Sequence, residues 1–118
     1  MQISEVDFED GTPIDGYGPG FFRVGGAVRE GAILLLPRSL HGWGGFDDRE
    51  RLLAAAEEID VLLVGTGPQM AYLPRGFRAE LEGANIGVEV MASAQACRTY
   101  NVLLSEGRRV GAALLPAS

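Results

Sequence analysis

Ala96-Cys97-Arg98-Thr99-Tyr100-Asn101-Val102-Leu103-Leu104-Ser105-Glu106-Gly107-Arg108-Arg109-Val110 holds a helix, its stop and the start of a strand in one stretch. On a helical wheel Ala96, Cys97, Tyr100, Leu103 and Leu104 share a face, the apolar stripe by which a helix packs on a core. Arg98, Asn101 and Ser105 fall on the other face. The pattern predicts a helix from about Ala94 to Glu106 with Ser93 as its N-cap. Gly107 suits the left-handed position that ends a helix. Arg109 to Leu115 then reads as a closing strand, and a helix feeding a strand is the repeating unit of α/β proteins.

The same alternation runs upstream. Ile86 to Met91 reads as a strand, preceded by a shorter helix from Arg75 to about Gly83 anchored by Phe77 and Leu81. Val61-Leu62-Leu63-Val64 is a buried strand stopped by Gly65-Thr66-Gly67-Pro68. Asp47 or Asp48 caps a helix running to about Glu58, with Leu52, Leu53, Ala56 and Ile59 facing inward. Ala32 to Leu36 is a continuous apolar run, as expected of a central strand covered on both faces, and it ends at Pro37. Nearer the N-terminus the character changes to short strands and turns. Ile3, Val6 and Phe8 suggest a first strand, then a turn at Asp10-Gly11-Thr12-Pro13. Strands at Ile14 to Tyr17, Phe21 to Val24 and Ala27 to Arg29 follow, separated by Gly18-Pro19-Gly20 and Gly25-Gly26. The fold class is α/β with a mixed sheet, the N-terminal strands forming an extra layer or edge of the same core.

Size and composition set bounds on function. A chain of 118 residues reads as one domain over 1–118, burying roughly 60–70% of its unfolded surface. Hydrophobic residues make up 47% of it, too many for disorder. The net charge of −6 and pI near 4.7 oppose sequence-independent nucleic-acid binding, which needs a basic field. All ten basic residues are Arg, which excludes Schiff-base chemistry on lysine and the P-loop lysine mechanism. The single cysteine, Cys97, forms no internal disulfide or cysteine metal cluster. Met1 to Asp7 lacks the pattern of an export signal, and apolar runs fall far short of the roughly 20 residues of a membrane span. The expectation is a cytoplasmic protein without membrane insertion.

If the three apolar strands run parallel, their C-terminal ends open at one edge, where ligands of open α/β sheets bind. That would gather Pro37-Arg38-Ser39, Gly65-Thr66-Gly67 and Met91-Ala92-Ser93. The amides of Gly65, Thr66 and Gly67 with the Thr66 hydroxyl would suit a small anion; the same residues also make an ordinary turn. Arg98, near the positive end of its helix, calls for a carboxylate partner or a bound anion, and Asn101 one turn on could share it. Arg38, Gly65, Thr66, Gly67, Ser93, Arg98 and Asn101 are thus the candidate recognition residues for an anion or a partner. Walker and dinucleotide fingerprints are missing, so no cofactor is assigned. A lone His41 gives no zinc spacing, and no metal is assigned. Cys97 is either a nucleophile helped by the helix N-terminus and Arg98, even paired with His41, or a buried small hydrophobe on the apolar face. Tyr100 reads as core with a bonded hydroxyl. Glu106 is placed to pair with Arg108 or Arg109. His41-Gly42-Trp43-Gly44-Gly45-Phe46 is either an aromatic partner-binding lid or a loop pinned by burying Trp43 and Phe46. No residue is assigned a catalytic role, and a two-fold homodimer is an expectation resting on how common two-fold oligomers are.

One ordered set of segments spans nearly the whole chain: Ile14-Asp15-Gly16-Tyr17-Gly18, Phe22-Arg23-Val24, Leu35-Leu36-Pro37, Leu63-Val64-Gly65-Thr66-Gly67, Val88-Glu89-Val90-Met91 and Ala96-Cys97-Arg98-Thr99-Tyr100-Asn101-Val102-Leu103. It resembles a small α/β family that includes mitochondrial complex I assembly factor 3 and the adipogenesis-associated domain protein. The resemblance implies three layers, with a mixed central sheet and an additional N-terminal β layer. It also implies a non-enzymatic accessory role, through contacts with protein subunits of a larger complex such as a respiratory one. The family's Met-Asp-Thr turn stands here as Met91-Ala92-Ser93, which removes a carboxylate and leaves Ser93 to cap. A small-anion-binding protein or enzyme, using the loops after the parallel strands, is the alternative.

Overall fold

The computed structural model describes Glu5–Asp7 and residues 11–118. Ile3, Phe8 and Asp10, expected in the first strand and turn, lie outside the described residues. Among the described residues are nine strands and three helices: β1 (Glu5–Asp7), β2 (Ile14–Gly18), β3 (Phe21–Val24), β4 (Ala27–Glu30), β5 (Ile33–Leu36), β6 (Ser39–Gly42), α1 (Glu50–Ala54), β7 (Val61–Gly65), α2 (Phe77–Gly83), β8 (Gly87–Met91), α3 (Ser93–Ser105) and β9 (Val110–Leu114). The central sheet has the order β1-β6-β5-β9-β7-β8, and β2-β3-β4 form a separate antiparallel sheet. β7 is parallel to β8 and β9, whereas β5 is antiparallel to β6 and β9. The sheet is therefore mixed, as the α/β reading expects.

Strand alternation sends side chains to two cores. Ile33, Leu35, Leu63, Ala112 and Leu114 face α3 and the small sheet, meeting Ala96, Cys97, Tyr100, Ile14, Phe22 and Val24. Leu34, Leu36, Leu62, Val64 and Ala113 face the other way, onto Leu52, Phe77 and Leu81 of α1 and α2. Three layers result, the small sheet and α3 sharing one of them.

The first apolar strand does not run as the converging-loop argument requires. Residues 39–42 form a strand, not a loop, and pair back on β5 with Leu36 opposite Ser39. Pro37 and Arg38 make a tight hairpin turn. Leu35 lies opposite Ala112 and Val61 opposite Val110, so this turn sits at the end where β7 and β9 begin. Gly65 and Met91 lie at the opposite end.

α1 is shorter than the periodicity predicts. Its N-cap is Arg49 with no side-chain cap bond, because the Asp48 carboxylate instead accepts the Gly44 N–H at 2.8 Å. Leu52, Ala55 and Ile59 are buried, while Leu53 and Ala56 are only partly so. Trp43 is 6% exposed, donates to Asp48 O at 3.1 Å and meets Phe46 edge-on with centroids 5.4 Å apart. Phe46 in turn meets Phe77. The aromatic loop is pinned, and Trp43 is a core side chain. At the outer strand β8, Arg78 of α2 donates to Val88 O at 2.6 Å.

Candidate functional site

The carboxyl ends of β7, β8 and β9 meet the N-terminus of α3 at Ser93, which is completely buried. Its hydroxyl accepts the Gly67 N–H at 2.8 Å and donates to Leu115 O at 2.6 Å. Its own N–H donates to Gly67 O at 2.8 Å. The expected N-cap is thus the first helical residue, with Ala92 at the cap position and no side-chain cap bond. Ser93 ties two strand ends together instead of serving its own helix. Gly65 makes this possible: a Cβ there would stand 2.9 Å from Ser93 Cα.

Thr66 is equally occupied. Its N–H donates to Met91 O at 3.0 Å. Its hydroxyl faces Gln69 O at 2.8 Å and Met91 O at 3.3 Å, and accepts the Ala71 N–H at 2.9 Å. The amides of Thr66 and Gly67 and the Thr66 hydroxyl therefore organise the loop and do not form an open cradle for an anion. Thr66, Gly67 and Ser93 are brought together, but Arg38 is at the opposite end of the sheet.

Asn101 grips the small sheet. Its Oδ1 accepts the Ile14 N–H and its Nδ2 donates to Ile14 O, both at 2.8 Å. Tyr100, fully buried, donates to Thr12 O at 3.0 Å, and burial raises its phenol pKa. These neighbouring side chains fasten β2 and the segment before it to α3. Arg98 is exposed and, among the described residues, makes no hydrogen bond or ion pair. It and Asn101 therefore do not share a partner.

Cys97 is buried in the core between α3 and the central sheet. Burial pushes its thiol up to about 11, against a smaller downward pull from Arg98. His41 follows Leu40, which faces that same core. Strand alternation therefore turns His41 to the opposite face of the sheet, where its Nε2 is 2.7 Å from Ser39 Oγ. A Cys97–His41 couple is excluded by this register. Because the reactive thiolate is scarce at neutral pH, Cys97 in the native chain should resist a disulfide-exchange reagent at pH 7.5. The same thiol should react fully after unfolding in guanidinium; prompt labelling of the folded chain would contradict the buried assignment.

A protein family described as "Protein of unknown function (DUF498/DUF598)" matches residues 14–115. The chain belongs to this family. Among the family relatives, an uncharacterised protein of Rhodobacter capsulatus is 54% identical over 116 residues, covering 98% of this chain and 94% of that protein. The Danio rerio protein named NADH dehydrogenase [ubiquinone] 1 alpha subcomplex assembly factor 3 is 30% identical over 123 residues, covering 98% of this chain and 71% of that one. A solved structure described as an outer membrane protein from Bartonella henselae superimposes with a TM-score of 0.84 at 36% identity. That match covers 92% of this chain and 98% of the other.

Two features of this family member escape a reading of sequence. Arg109 pairs with Asp60, at 2.8 Å and 3.3 Å, and not with Glu106. The two residues immediately precede the paired positions Val61 and Val110, so the partnership follows from strand register. The guanidinium holds the Asp60 carboxyl below its usual range, chiefly through their hydrogen bond. The second feature is the loop between β7 and α2, where Met70 and Tyr72 are displayed to solvent. An uncharged Pro68-to-Pro74 run carrying Met70 and Tyr72 was the available signal. Among the described residues, no helix is long and apolar enough to cross a membrane.

Proposed function

We propose that this chain is a non-enzymatic accessory protein that binds subunits of a larger complex during assembly, with respiratory NADH dehydrogenase as the complex. The observation that carries this reading is the match to an NADH dehydrogenase assembly factor along 98% of the chain. The site geometry supports it. Ser93, Thr66, Tyr100 and Asn101 hold the layers and loops together, and Cys97 packs the core. Their polar groups are engaged within the fold, leaving exposed side chains such as Arg98 for a partner. Trp43, buried, is not among them. The proposal is of one unit over residues 1–118, working in the cytoplasm by protein binding.

Tagged protein purified from native extract should retain NADH dehydrogenase subunits, identified by mass spectrometry, above an untagged control. Recovery at control level under gentle lysis and low salt would sink the reading.

A further inference from the structure

The loop from Gly67 to Gly76 displays Met70, Ala71 and Tyr72 outward. Tyr72 is 95% exposed and Met70 56%, with Ala71 exposed between them and Leu73 turned back against the α1–α2 core. Slack chain does not account for this display. The Thr66 hydroxyl bonds both Gln69 O and the Ala71 N–H, so the backbone on either side of Met70 is held. The Phe77 N–H donates to Pro74 O at 3.2 Å, closing the far end, and Pro68 and Pro74 restrict φ there. A preorganised loop loses little conformational entropy when it binds, and Tyr offers large contact area with few rotatable bonds.

The charge pattern selects the occupant. Pro68-Gln69-Met70-Ala71-Tyr72-Leu73-Pro74 carries no charge in a chain of net charge −6, and the next residue is the exposed cation Arg75. Two copies meeting here would bring like net charges and the same Arg75, with no carboxylate in the segment to receive it. A different protein with an apolar cleft for the Tyr72 ring and a carboxylate on its rim satisfies both features.

We propose that Met70, Ala71 and Tyr72, flanked by Arg75, form the surface that docks a client subunit carrying such a cleft and rim carboxylate. This rests on the assembly role above and assigns it a place on the molecule. The test uses the full chain, tagged, in the cell it comes from, with a photo-crosslinking phenylalanine derivative substituted for Tyr72, Arg98 or Arg38 in separate strains. Position 72 should yield a covalent adduct with an NADH dehydrogenase subunit. Tyr72→Ser and Arg75→Glu should each lower the co-purified subunit by at least about tenfold, with the melting temperature unchanged. Adducts from position 98 or 38 but not 72 would overturn this surface and leave the assembly role standing. An adduct between two copies of this chain at position 72 would overturn the choice of occupant. If no subunit co-purifies with the unsubstituted chain, the assembly role itself fails.

Discussion

Gly65→Ala is expected to lower the melting temperature by roughly 10–20 °C, the equivalent of about 3 kcal/mol in a chain of this size. The added methyl would stand 2.7 Å from Ser93 Oγ, 2.8 Å from Leu114 Cδ2 and 2.9 Å from Ser93 Cα. None of these neighbours gives way readily. Leu114 is completely buried, and Ser93 is fixed by its bonds to Gly67 and Leu115. Relief requires the first turn of α3 to lift from the sheet, loosening the junction that orders the Thr66 loop. Gly83→Ala is the internal control, because a Cβ there meets nothing within 4 Å and Ala favours a helix over Gly. Denaturant and thermal unfolding of both variants would measure the contrast. A Gly65→Ala chain within about 1 kcal/mol of the parent, a typical surface-substitution effect or slightly more, would contradict the close approach.

Asn101→Ala should cost about 2–4 kcal/mol, since it leaves both the N–H and C=O of Ile14 without their side-chain partner. The loss differs from that of an ordinary surface Asn because one amide satisfies both backbone groups, each at 2.8 Å. Hydrogen exchange should quicken at the Ile14 amide more than in β7. Asn101→Asp separates the two bonds. Its carboxylate can accept from the Ile14 N–H but turns an acceptor toward Ile14 O, which disfavours the charged form and raises the folded-state pKa. Stability is then highest below the unfolded pKa and falls as pH rises through the folded one. The deficit against the parent chain should therefore shrink on acidification toward about pH 4. A pH-independent deficit, or an Asn101→Ala chain as stable as the parent, would remove Asn101 from this role.

Local rules found most of the elements but only part of their arrangement. Phe21–Val24 and the helix-stop-strand run through Gly107 are legible because their signals are local: apolar spacing, and a glycine observed at φ 79°. β6 was hidden because Ser39-Leu40-His41-Gly42 has one strongly apolar residue and follows a proline across a two-residue turn. The direction of β5 was equally hidden: an apolar run carries no sign of whether its neighbour is parallel, and because β5 is antiparallel to β9, Arg38 lies at the end of the sheet opposite Gly65. Asn101 sits on the polar side of the wheel, yet the small sheet reaches it there through Ile14, and helical periodicity carries no information about a distant layer. Ser93 has the residue type of a cap, but strand ends 26 and 22 positions away claim its hydroxyl. Asp60 and Arg109 are 49 positions apart and become neighbours only through parallel register.

The bond from Arg78 to Val88 O has a consequence for solubility. β8 is the last strand on its side of the central sheet, and a bare strand edge is a template on which another chain can pair. A guanidinium over one edge carbonyl interrupts the row of acceptors and places a charge where an incoming strand would lie. The helix that precedes β8 thus also acts as its edge guard, opposing extension of the sheet from one molecule into the next.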